Sequence, residues 1–234
     1  MNLSGLAFIC FCYGRYSDND KAYLQFLEST NGMPDLMNQD HRYALLKWLN
    51  QWGCRQFAIQ YHDLAQIELL DWYRQYTNWL FPPERNIWQL TQIDYNIIRD
   101  LFESLKSRTA SIQHRGNREI TMRFGAIGAA KILFAVRPKC FAPWDNPIRG
   151  AFGYDSSSES YVSYLEEIKN RLQSIRISCE QNGFTLANLP ETLQRPNSSV
   201  PKLMDEYFWM TITQNWSVPD NLTFRNWVQW ISQD

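Results

Sequence analysis

The chain reads as an all-α protein. Three observations predict it: apolar residues recur at three- and four-residue spacing through most of the chain, prolines and glycines stand at the ends of those runs, and no period-two alternation of useful length appears. Hydrophobic residues make up 44% of the 234 residues and charged residues 20%, enough to bury a sizeable core and to exclude disorder as the default state. No composition shift or linker divides the chain, so residues 1–234 are expected to form a single all-α unit.

Leu6 to Tyr13 is apolar but short, with neither a basic region before it nor a cleavage-site pattern after it, and is expected to be a buried segment. From Asp40 to Trp52 the apolar stripe Tyr43, Leu45, Leu46, Trp48, Leu49 and Trp52 predicts a helix capped by Asp40 and stopped by Gly53. A second helix is expected over Leu64–Leu80, ended by Pro82-Pro83, and a third over Thr91–Lys106 with Thr91 as its cap. Residues 107–123, polar and basic, are expected as loop and short turns. Gly128–Val136 reads as a helix of small and aliphatic residues ended by Arg137-Pro138, and Ser158–Asn182 as a long amphipathic helix closed by Gly183. Pro190–Pro201 reads as a connector, Val200–Gln214 as another helix, and Phe224–Ile231 as the last element.

The five cysteines form no CxxC pair and lie far from the three histidines, which argues against a zinc site and for free thiols in a reducing compartment. No metal and no cofactor is expected. No stretch is long enough to span a membrane. The expectation is a cytoplasmic monomer with no membrane partner. The net charge of −1 excludes a globally basic nucleic-acid coat. Locally the balance differs: between Lys106 and Arg149 nine basic residues face two acidic ones. That pattern suits a surface meeting phosphates on one side, and equally a solvated loop.

The same window holds Phe124-Gly125-Ala126-Ile127-Gly128-Ala129-Ala130-Lys131. Two glycines beside a helix start would let backbone N–H groups and the helix dipole reach an anion such as a phosphate. The same glycines and alanines also suit close packing of two helices. Further on stands Phe141-Ala142-Pro143-Trp144-Asp145-Asn146-Pro147-Ile148-Arg149, where Asp145 precedes a new helix with Pro147 in its first turn. Asp145 is there either a capping residue or a sheltered, chemically active carboxylate. Asp205-Glu206 and Glu166-Glu167 are helix neighbours pointing different ways, so neither reads as an acid–base pair. Trp48 and Trp52 share a face and read as core.

Taken together, the glycine bend, aliphatic helix, proline-containing turn and apolar-x-Asp-x-x-apolar-Arg pattern over residues 118–153 resemble the helix-hairpin-helix DNA glycosylase superfamily. The resemblance implies two helical lobes with a cleft between them and a duplex DNA partner. It also implies hydrolysis of the base–sugar bond of an extruded damaged or modified nucleotide, in repair or in defence against foreign modified DNA. On that footing Gly125, Ala126, Ile127 and Gly128 would grip a phosphate with Arg123 and Arg149 beside them, and Asp145 would be catalytic. Trp144 and Asn146 would border the base pocket. Lys131 would be the candidate lyase nucleophile. It stands one residue later than the family's lysine, a rotation of about 100° on a helix, which turns it toward phosphate or solvent and favours a monofunctional enzyme. A DNA-binding protein without catalysis, and an all-α protein unrelated to nucleic acid, are the competing readings.

Overall fold

The local signals above become eleven α-helices and one β-hairpin in a computed structural model that describes residues 1–16, 19–116 and 118–231. Helices α1 (Leu3–Tyr16) and α2 (Asn19–Ser29) precede α3 (Gln39–Gln51). The cap of α3 is Asn38, whose side chain accepts from the Asp40 N–H at 2.8 Å, so the expected cap Asp40 lies inside the first turn. Helix α4 (His62–Tyr76) passes into a 3₁₀ turn, Thr77–Trp79, before the two prolines. Helix α5 (Gln92–Lys106) opens with a reciprocal box: Thr91 Oγ1 accepts from Asp94 N, and Asp94 Oδ2 accepts from Thr91 N at 2.7 Å. Two orphan donors are satisfied this way.

Residues 107–123 correct the expected loop. Strands β1 (Thr109–Arg115) and β2 (Arg118–Arg123) pair antiparallel, with Gly116 at φ +60° at the tip. In β1 the inward residues are small or polar, Ala110 and Ser111 being buried while Ile112 points outward, and in β2 the alternation is short, with only Ile120 and Met122 half-buried between exposed residues. The usable signal was the Gly116-Asn117 dipeptide, a two-residue hairpin composition.

Helix α6 (Gly125–Val136) begins three residues before its expected start, directly after β2. The segment preceding the glycine bend is therefore a strand, not a helix. Ten of the twelve α6 residues are buried, as expected of a helix apolar on every side, and it packs against α5 and α3. Then come α7 (Asn146–Ala151), α8 (Ser158–Gln181), the single turn α9 (Leu189–Thr192) and α10 (Val200–Phe208). Instead of running unchanged to Gln214, α10 widens into a π-helical turn, Trp209–Thr213; α11 (Asn221–Ile231) follows.

One contiguous apolar cluster takes in α1 through α10, and a smaller one gathers Ile9, Tyr13 and Met210. Behind it lies a buried ionic cluster. Lys202, fully buried, donates to Glu206 Oε1 at 2.8 Å; Arg195 reaches the same oxygen at 2.6 Å and Asp20 Oδ2 at 2.5 Å. These pairs tie α2 and the segment after α9 to the inner side of α10. The five cysteines are unbridged, and no described helix is long and apolar enough to cross a membrane.

Candidate active site

The segment between α6 and α7 is held on both sides before it reaches Asp145. Tyr161 and Tyr164 of α8 donate to the carbonyls of Ala142 at 2.9 Å and Pro143 at 3.1 Å. The Trp144 indole N–H donates to Ala126 O at 3.2 Å, which fastens this segment to the first turn of α6. Asp145 then caps α7, its Oδ1 accepting from Ile148 N at 2.9 Å, with Pro147 in the first turn. The capping reading of Asp145 is therefore correct, and it does not exhaust the residue.

Asp145 also lines a cavity of about 690 Å³, within the usual range of small-molecule sites. The wall is shared by Gly125, Ala126, Ile127 and Lys131 of α6, Gln51 and Trp52 at the end of α3, and Tyr13 of α1. Asp205 and Trp209 face it from α10 and the π turn. The bend and the carboxylate thus meet at one opening. Gly125 has φ +69°, a conformation that costs an L side chain about 1–2 kcal/mol. Gly125, Ala126 and Ile127 all line the cavity, and their N–H groups belong to the first helical turn, where an amide has no intrahelical partner.

Gly128 behaves differently. It is buried, and an added Cβ would lie 3.1 Å from the Phe57 ring, so this glycine serves helix packing and does not belong to the rim. Of the expected phosphate contacts, Arg123 is exposed beside the cavity but is tied to Ser107 O and Thr109 Oγ1, each at 3.0 Å. Arg149 lies on the last turn of α7, 5.9 Å from the Trp144 ring, outside the cavity wall. Asn146 is exposed at the lip. Trp144 borders the cavity but offers no face on which a base could stack. Its ring is 0% exposed and packed against Tyr161 and Phe102, so it floors the cavity without presenting a surface. The indoles that do reach the cavity with exposed area are Trp52, read from the sequence as core, and Trp209.

Lys131 also departs from expectation. It faces the cavity, not phosphate or solvent, and donates to Trp52 O at 2.6 Å. Because α6 starts at Gly125, Lys131 falls one turn after Ile127 on the same stripe, and both line the wall. Burial raises the Asp145 pKa; the Ile148 N–H, the Lys131 charge and the Thr213 hydroxyl pull it partly back. That hydroxyl is buried in the π turn and makes no hydrogen bond of standard geometry, yet it is the side chain of the turn that approaches the carboxylate. π turns of this kind often mark functional sites, and this one packs on α7.

Asp205, which the sequence sets aside as a neighbour of Glu206, faces the cavity. Its carboxyl makes no hydrogen bond among the described residues, whereas its neighbour Glu206 holds two cations. Burial pushes Asp205 up to about 7; Lys202 and Lys131 oppose the rise while Asp145 and Glu206 add to it. A signal existed in the spacing: Lys202 and Glu206 share one stripe, Asp205 and Trp209 another.

Comparison with protein-family models, curated proteins and solved structures found no match to this chain.

Proposed function

We propose that the protein is a DNA glycosylase that hydrolyses the N-glycosidic bond of an extruded, damaged or modified base. The observation that carries this reading is the shared opening: a partly desolvated carboxylate, Asp145, and the first turn of a glycine-started helix line one cavity large enough for a nucleoside. Cleaving the bond develops positive charge on the sugar. A fixed carboxylate in a low-dielectric site stabilises that charge and accepts a proton from the attacking water. The rim amides and Arg123 suit a backbone phosphate, and Trp52 and Trp209 offer rings against which a flipped base can stack. The two-lobed helix-hairpin-helix architecture belongs to this proposal, modified by the strand in place of its leading helix.

We assign monofunctional chemistry, with Lys131 serving Asp145. The lysine is engaged by the Trp52 carbonyl and lies beside the carboxylate, so its charge is already used in the ground state. Borohydride trapping of a DNA adduct on Lys131 would overturn that assignment.

The test is single-turnover base release from duplexes carrying a panel of damaged and modified bases, read by chromatography. Asp145→Asn should lose at least about 10³-fold in rate while duplex affinity and its salt dependence persist. Release unchanged in that variant removes Asp145 from the mechanism. Salt-sensitive duplex binding without release from any substrate would favour the non-catalytic reading.

A further inference from the structure

We propose that Asp205 is the proton donor to the leaving base, a second carboxyl of the same cavity with a role distinct from that of Asp145. The inference rests on the glycosylase reading above and goes further by naming the substrate class: an uncharged base that leaves poorly unless protonated.

Three observations carry it. Asp205 lines the cavity and has no hydrogen-bond partner among the described residues, although Lys202 is three residues away. That lysine is committed to Glu206 and Asp20, so the nearest cation is already spent. Asp205 is half-buried at the cavity wall, whereas the fully buried acid of the same helix, Glu206, is held by two cations; a cavity-facing carboxyl with no hydrogen bond is open to a ligand. Second, Trp209 lies one turn further along the same helix face and reaches the cavity, so the acid sits beside an indole on which a base can stack. Third, the two acids differ in commitment. Asp145 holds Ile148 N through Oδ1 and is approached by Thr213, which keeps it oriented and favours its ionised form; Asp205 is unconstrained.

The groups facing Asp205 come from five elements: Lys202 and Glu206 of α10, Asp145 at the start of α7, Lys131 of α6, Tyr13 of α1 and Tyr164 of α8. Burial and the two acids outweigh the two lysines, and the carboxyl titrates at about 7. Near neutrality it therefore has a proton to give, which an ordinary aspartic acid does not.

The step balances as follows. The C1′–N bond breaks and its electron pair goes to the base. The Asp205 O–H proton passes to a nitrogen or carbonyl oxygen of that base. The water oxygen bonds to C1′, and its proton goes to the Asp145 carboxylate. One water is consumed, and exchange with solvent returns the proton from Asp145 to Asp205.

The experiment measures single-turnover release against pH for wild type, Asp205→Asn, Asp205→Glu and Asp145→Asn, on a duplex whose neutral base the wild type excises. A second duplex carries an electron-poor analogue of that base. Thermal melts and duplex affinity are measured in parallel. The wild-type rate should fall above about pH 7. Asp205→Asn should lose about 100-fold on the neutral base and lose that limb of the profile, while melting no lower than wild type. Asp205→Glu should restore both rate and limb, and the electron-poor analogue should narrow the gap at least tenfold. Asp205→Asn within threefold of wild type across the pH range overturns the inference, as does an equal loss on both bases. If Asp145→Asn is inactive in that same experiment, only the proton-donor role falls and the glycosylase reading stands. A wild type that releases no base from any substrate sinks both.

Discussion

The two faces of α10 treat their acids in opposite ways. On the inner face Glu206 is fully buried and shared between Lys202 and Arg195, with Asp20 completing the cluster. On the cavity face Asp205, the preceding residue, is half-buried and its carboxyl makes no hydrogen bond among the described residues. One helical step of about 100° separates them. The difference teaches which charges hold the fold and which are left for a ligand: a paired buried acid is a structural investment, and an unpaired one facing a cavity is a chemical resource.

Breaking the inner face should have the largest effect on stability. Glu206→Gln leaves Lys202 and Arg195 with only Asp20 between them, and removing one partner of a buried pair costs about 3–5 kcal/mol. Urea unfolding should register that loss. Asp205→Asn should cost nothing and can raise stability, because it removes a poorly solvated carboxylate. Equal losses in the two variants would erase the contrast.

The pH dependence sharpens the same comparison at a smaller magnitude. Asp205 titrates at about 7 in the folded chain, and an unfolded aspartate at about 4. Between those values the folded state holds the extra proton, so this group makes stability fall as pH rises through the window. Asp205→Asn lacks the effect. Its stability advantage over wild type should therefore grow from about pH 4 to about pH 7 and level off above. A constant difference across that range would mean that Asp205 is ionised throughout.

Much of the scaffold was legible because it is locally encoded. Thr91 with Asp94, and Asp145 with Pro147, announce helix starts within four residues, and the structure contains both. Asp145 could be singled out because a cap between apolar residues is a local pattern. The other half of the cavity wall is not local. Asp205 meets Asp145 across sixty residues of chain, and reading Asp205 against Glu206 compared it with the wrong acid. Trp52 reads as core because its stripe continues that of Trp48, but it falls at the C-cap of α3, where the helix stops, and it is half-buried and lines the cavity. The orientation of Lys131 was misjudged for a related reason: a motif's register does not determine where a helix begins, and α6 begins at Gly125.

The two glycines of that helix test the contrast between holding the fold and serving the site on the smallest scale. Gly125 has open space around a would-be Cβ and a positive φ; Gly128 has an ordinary backbone and the Phe57 ring at 3.1 Å. Gly125→Ala should cost about 1–2 kcal/mol through backbone strain alone. It should also weaken duplex binding, because relaxing φ re-aims the amides of the first turn. Gly128→Ala should cost a comparable amount through displacement of Phe57, while leaving duplex affinity within about twofold once stability is accounted for. Calorimetry paired with salt-dependent binding separates the two. If both variants bind duplex equally well, the bend is only a packing device, and the rim amides have no part in gripping a phosphate.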